Sequence, residues 1–168
     1  MSSVVKLTDF KVGKYKIPQN TNTVDTLQEV LDEWEVRNIN YLLGCDLATL
    51  FFDDLVDGVP QEQRFIDIYN SFCKDESNCI IESEGIKTML KGMIWGRAAE
   101  LTDSVLTTVG TKTNNNANSE NTGLQNGMMY RLYNQGVDTS RAIQWFICDN
   151  SDIYPEYNGQ FFDKKIWL

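Results

Sequence analysis

The chain predicts an all-α fold: a helical bundle with a long helical hairpin, an exposed polar loop joining the hairpin helices, and extended N- and C-terminal arms. Three observations carry that expectation. Apolar residues recur at helical spacing in several stretches. Glycine, proline and asparagine interrupt them where helices stop. Both ends, around Gly13 and Pro18 and again from Tyr154-Pro155, lack helical periodicity. The 168 residues suit one domain with a real core, divided as an arm over 1–22, a bundle over 23–150 with its loop at 110–122, and an arm over 151–168.

Residues 1–22 mix Val, Lys and Tyr, and Pro18 limits them to an edge strand or coil. Asn22 or Thr23 offers an N-cap for a helix over about 24–43. Its apolar stripe is Val24, Leu27, Leu31, Trp34, Tyr41 and Leu42, and Gly44 stops it. Asp46 can cap a short helix presenting Leu47, Leu50, Phe51 and Leu55, closed by Asp57-Gly58. Pro60 suits a first helical position and opens a helix with Phe65, Ile66, Tyr69 and Phe72. Residues 73–79 form a polar connector. Ser83 or Glu84 begins the longest helix, to about 109, with Ile86, Leu90, Met93, Leu101 and Val105 facing inward. Asn114 to Asn121 is expected to be a loop or a disordered tip. The last helix spans about 123–148, with Met129, Leu132, Gly136, Ser140, Ile143 and Ile147 on one face, and an aromatic tail follows.

The net charge of −9 argues against a nucleic-acid binder that works by neutralising phosphates. The charge is uneven. Thirteen acidic residues between Asp25 and Glu76 are set against Arg37, Arg64 and Lys74, whereas Lys6, Lys11, Lys14 and Lys16 dominate the first sixteen residues. Either the acids are a solvated surface, or a basic arm of one protomer meets the acidic face of the next. No run approaches the ~18 apolar residues needed to cross a bilayer, and Met1–Lys6 lacks a signal-peptide core, so a cytoplasmic product with no membrane contact is expected. Cys45, Cys73, Cys79 and Cys148 form no Cys-x-x-Cys pair, and with no histidine no zinc site is expected. Free, mostly buried thiols are the expectation.

Gly92 and Gly96 lie four apart on one helix face, and Gly136 and Ser140 repeat that spacing. Two glycines in a helix cost roughly 1 kcal/mol each relative to alanine, so close helix approach must compensate, either inside the protomer or between protomers. Asp53-Asp54-Leu55-Val56-Asp57-Gly58 fails as a calcium loop, since Leu55 and Arg64 stand where oxygen ligands are required. Glu82 with Glu84, and Glu33 with Glu35, are carboxylate pairs of the kind that acid–base chemistry uses, yet 24 acids make such pairs common. Glu82 and Glu84 also suit a helix start. No triad, Walker loop or dinucleotide fingerprint is present, and no enzyme, metal or cofactor is expected. Tyr154, Tyr157, Phe161, Phe162 and Trp167 either cover the protomer's own core or dock into a neighbour.

The order of parts is a lysine-rich arm ending in Ile17-Pro18, a helix closing on Tyr41-Leu42-Leu43-Gly44, and a short helix to Pro60. Then come Ile81-Glu82-Ser83-Glu84-Gly85-Ile86-Lys87-Thr88-Met89-Leu90, a Thr/Asn/Ser loop, a final helix and a Tyr154-Pro155 tail. This order resembles the head-to-tail connector (neck, or portal-adaptor, ring) proteins of tailed bacteriophages, above all the crAss-like short-tailed phages of Bacteroides. The resemblance implies a structural virion protein of the neck and tail region, assembled in the host cytoplasm. It implies a homo-oligomer, commonly a dodecameric ring, that bridges the portal protein and tail or neck proteins while DNA passes through its lumen without specific binding. The protein-interface candidates are Lys11, Lys14, Lys16, Gly92, Gly96, Asn114, Asn115, Asn116 and the five tail aromatics. Rival readings are a tail-completion or stopper protein and a small acidic DNA-mimic inhibitor.

Overall fold

Among the described residues three short antiparallel hairpins interrupt the helices, so the fold mixes α and β and the all-α expectation is corrected. The computed structural model of the chain describes residues 3–16, 21–76, 79–107, 110–113 and 122–160. After two 3-10 turns, Leu7–Phe10 and Gly13–Tyr15, come α1 (Thr21–Leu43), α2 (Cys45–Asp53), β1 (Leu55–Val56), β2 (Val59–Pro60) and α3 (Gln63–Tyr69). There follow β3 (Phe72–Glu76), β4 (Cys79–Ser83), α4 (Ile86–Asp103), β5 (Ser104–Thr107), β6 (Gly110–Thr113) and α5 (Thr122–Asp149). Each hairpin is a separate two-stranded sheet: β1 with β2, β3 with β4, and β5 with β6.

Each hairpin replaces a sequence expectation for a local reason. Asp57 and Gly58 have φ of 53° and 85°, the paired positive values of a tight hairpin turn that Asp-Gly favours, so this dipeptide turns a hairpin and does not only close a helix. Pro60 accordingly pairs with Leu55 in β2. Helix α3 starts later, at Gln63, where Asp54 Oδ2 accepts from the backbone N–H of Gln61 and Glu62. Within the polar connector expected over 73–79, residues 73–76 and 79 are strand: Phe72 registers with Ser83 and Cys73 with Glu82. Helix α4 ends at Asp103 because a β-branched run follows, and Val105 pairs with Lys112 in β5–β6. The side chains of Leu101, Val105 and Met129, and residues 114–121, lie outside what is described.

Helices α4 and α5 form the expected hairpin, and α1 packs across α4. Phe51, Phe65, Leu42, Leu47, Ile86, Met89, Leu90, Met93, Val137, Ile143 and Ile147 make the centre of the core. Burial of each large apolar side chain contributes roughly 1.5–3 kcal/mol. The glycine question resolves within the protomer. A Cβ on Gly92 would lie 2.6 Å from the Leu132 carbonyl oxygen, and one on Gly136 would lie 2.9 Å from the Met89 oxygen. Each helix thus brings a glycine to the backbone of the other. Tyr41, expected inward, is an exposed member of α1.

The described part of the N-terminal segment is no extended arm. Val4, Val5, Phe10 and Tyr15 are buried in the common core. Glu35 of α1, itself buried, holds this segment by accepting from Val4 N–H (3.0 Å), Val5 N–H (3.0 Å) and Ser3 Oγ (2.9 Å). The C-terminal segment also folds back. Asn158 N–H donates to Leu43 O, Gln160 N–H to Tyr41 O, and the buried Gln144 Nε2 to both Leu42 O and Gln160 O. The last carbonyls of α1, which no helical partner can satisfy, are thereby capped by the chain after α5. Cys45, Cys73 and Cys148 are free and exposed, so the expectation of buried thiols fails for these three.

Candidate protein interface

The charge segregation seen in the sequence survives folding. Lys6, Lys11 and Lys16 are exposed on the N-terminal segment, with Val12 73% exposed among them. Asp25, Glu29, Asp32 and Glu33 are exposed on α1, and Asp46, Asp53, Asp57, Glu62 and Asp67 on the elements up to α3. Arg37 sits within this acidic stretch, 5.2 Å from the Trp34 ring and 5.8 Å from the Tyr41 ring. Its guanidinium lies over two aromatic faces and 3.9 Å from Glu33, leaving the other acids of this stretch uncompensated by it at short range.

The interface candidates named from sequence scatter. Lys11 and Lys16 face solvent, and the Lys16 carbonyl accepts from Trp95 Nε1 at 3.5 Å. Lys14 is engaged inside the protomer: its Nζ lies 3.6 Å from Glu84 Oε2, donates to Gln135 Oε1 at 3.2 Å, and stands 5.1 Å above the Tyr15 ring. Gly92 and Gly96 are buried between α4 and α5 and face no partner. Asn114, Asn115, Asn116, Phe161, Phe162 and Trp167 lie outside the described residues.

Tyr154 and Tyr157 belong to the protomer, which corrects the docking-arm alternative for these two. Tyr154 is 2% exposed, and its hydroxyl donates to Arg64 O at 2.7 Å. Burial, with Asp67 adding to it, pushes its phenol well above the usual tyrosine range. The Tyr157 phenol is pushed up to about 12, by burial first and then by Cys148. Arg64 ties this segment further through Glu156 Oε2 at 3.2 Å.

The carboxylate pairs are dispersed in the same way. Glu35 holds the N-terminal backbone and Glu33 meets Arg37. Glu84 is held by Lys14 and by Gln135 Nε2, while Glu82 is exposed. Among the described residues no cluster of His, Cys, Asp and Glu is arranged to hold a metal ion, and no helix is long and apolar enough to cross a membrane.

One surface feature escaped the sequence reading. A groove runs between β4 and α5, with a hollow of about 300 Å³ lined by Ile81, Glu82, Asp138, Arg141, Ala142 and Trp145. It continues past Glu82 and Asp138 into a polar hollow of about 550 Å³ that reaches Glu84, Arg131 and Gln135. Trp145 is 50% exposed. The signal available in the sequence was a tryptophan on the polar stripe of an amphipathic helix, four residues after Arg141 and seven after Asp138. Comparison with protein-family models, with curated proteins and with solved structures gives no match.

Proposed function

We propose that this protein is a structural component of a phage neck, a ring-forming connector between portal and tail. The observation that carries the reading is the α4–β5–β6–α5 unit. Two helices fastened backbone to backbone at Gly92 and Gly136 continue into a β-hairpin and then into the Thr/Asn/Ser run at 114–121. A stiff helix pair that carries a β-hairpin gives a ring subunit a lever with which to reach a neighbouring ring. The order of parts along the chain supports the same reading.

The charges support the mode of closure. A ring needs a heterologous contact, in which one surface of a subunit fits a different surface of the next. The exposed Lys6, Lys11 and Lys16 supply one sign, and the exposed acids of α1 through α3 supply the other. Complementarity of this kind orients encounter and rejects wrong partners more than it adds affinity. An acidic lumen would pass DNA without holding it.

The test is assembly on the portal ring encoded in the same genome, read by native mass and negative-stain imaging. Rings, or stoichiometric decoration of the portal, are expected with the wild-type chain. The double variant Lys11→Glu/Lys16→Glu is expected to melt at the wild-type temperature, because neither side chain is buried, and to lose assembly. A chain that stays monomeric with portal present and is absent from purified virions overturns the proposal.

A further inference from the structure

The β1–β2 hairpin turns two valines to water. Leu55 and Pro60, opposite each other in the ladder, are buried, whereas Val56 and Val59, the next pair, are 58% and 48% exposed. Successive residues of a strand alternate faces, so one pair makes the core side of the hairpin and the other its outer side. The outer side is held in place. A Cβ on Gly58 would lie 2.3 Å from the Ser3 carbonyl oxygen, so the turn sits against the N-terminal segment. Asp54 Oδ2 ties down the chain just after β2 through the N–H groups of Gln61 and Glu62. Acids flank the two valines: Asp57 lies in the turn and Asp53 two residues before β1, both exposed.

A third valine stands out where the opposite sign prevails. Val12, between the two 3-10 turns, is 73% exposed, more than any other large apolar residue described. The chain on either side of it is anchored, since Phe10 and Tyr15 are buried in the core and Lys14 Nζ lies 3.6 Å from Glu84. Val12 is therefore a fixed knob, and exposed Lys11 and Lys16 flank it. None of Lys11, Lys16, Asp53 and Asp57 makes an ion pair among the described residues. Both valine surfaces stay open in the folded protomer, so a protomer does not cover one with the other.

We propose that the Val12 knob of one protomer seats on the Val56–Val59 face of a second copy, with Lys11 and Lys16 meeting Asp53 and Asp57. This names the subunit contact of the proposed ring, and it rests on that reading for closure. A second copy is the occupant because the chain carries both halves, apolar at the centre and opposite in charge at the margin. Two different surfaces of one chain make a heterologous contact. Removing the three valines from water drives the contact, and the charges orient it. Both surfaces are pre-formed, so association orders little chain. A single contact of this size is weak, and a ring that holds each copy on two sides strengthens it.

Charge exchange on the full chain tests this without portal, which keeps its outcome separate from portal assembly. One variant, Lys11→Glu/Lys16→Glu, makes the knob acidic. The other, Asp53→Lys/Asp57→Asn, reverses the hairpin's sign, and asparagine suits the positive φ of 53° at Asp57. Self-association is read from the concentration dependence of amide chemical shifts at Val12, Val56 and Val59 in ¹⁵N-labelled protein. All three are expected to move together in the wild-type chain. Each variant alone is expected to associate about tenfold more weakly or worse, because like charges then face each other. An equal mixture of the two is expected to regain association, since each knob then finds a hairpin of opposite sign. Val12→Ser, a change at a side chain open to water, is expected to weaken association with no change in charge. Wild-type shifts that ignore concentration, a mixture as weak as its parts, or a Val12→Ser chain that associates as the wild type does would each overturn the proposal. Portal decoration alongside a failed mixture refutes this contact and leaves the neck reading standing; a restored mixture with no portal assembly does the reverse.

Discussion

Glu35 shows how much one side chain decides. A carboxylate on α1 looks from sequence like part of the acidic surface, but it is buried and takes three donors from the N-terminal segment. Glu35→Ala leaves the Val4 and Val5 amides unpartnered, at about 1–3 kcal/mol for each buried group. A lower melting temperature is expected, with amide exchange at Val4, Val5 and Phe10 accelerating more than exchange in α4. Equal acceleration throughout would mean that the segment is not a separate latch. Tyr157 gives a pH dependence. Its folded pKa, about 12, lies above the unfolded value near 10. The unfolded chain therefore loses its phenolic proton first as pH rises, and stability falls with pH. The stabilisation is complete below about pH 10 and is lost as pH climbs toward 12. In chemical-denaturation curves taken across that window, Tyr157→Phe should flatten the decline without abolishing it, because Tyr154 is shifted in the same direction.

The elements divide by how far their causes are local. Helix α1, expected over 24–43, forms at Thr21–Leu43, and α5, expected over 123–148, forms at Thr122–Asp149. Amphipathic periodicity over twenty or more residues leaves little freedom in such segments. A pairing partner decides the hairpins: Phe72–Glu76 and Cys79–Ser83 are strands only because the two short segments lie side by side. Asp57-Gly58 carries a hairpin signal as well as the helix-stop signal. The helix pair offers a comparison in which magnitude sets the sign. Alanine gains roughly 1 kcal/mol over glycine in a helix interior. At Gly96 the new Cβ meets Tyr133 Cβ at 3.3 Å, a contact that a small shift relieves, so Gly96→Ala is expected to be close to neutral. At Gly92 it meets the Leu132 backbone oxygen at 2.6 Å. Overpacking there costs about 1–3 kcal/mol, so Gly92→Ala should lower the melting temperature by several degrees. Thermal melts of the two variants side by side check this, and equal effects would refute the close backbone approach.

At the scale of the whole molecule, the described segments before α1 and after α5 both close on the core. The segment after α5 caps α1 and buries Tyr154 against Phe146, with ring centroids 6.3 Å apart. Truncation after Ile153 is therefore expected to unfold or aggregate the chain, whereas truncation after Gln160 leaves the α1 cap and Tyr154 in place and should cost far less. Circular dichroism melts of the two truncations decide it, and similar melting would show that residues 154–160 are dispensable to the core. For the interface, the opposed basic and acidic stretches were legible because charge follows composition. The groove beside Trp145 was not, since it exists only where β4 and α5 meet.

The sequence by itself determined the long helices, the α4–α5 hairpin, the need for a close approach at its glycines and the separation of charge. All of these follow from periodicity, chain entropy and residue type acting within a few turns. Only the tertiary structure decided that the hairpin's glycines face each other, that Glu35 latches the N-terminal segment, that Tyr154 and Tyr157 serve their own core, and that β4 and α5 enclose a groove. Each of these depends on groups more than ten residues apart meeting at bonding distance. Local spacing carries no information about such meetings until burial of the core has fixed which surfaces face one another.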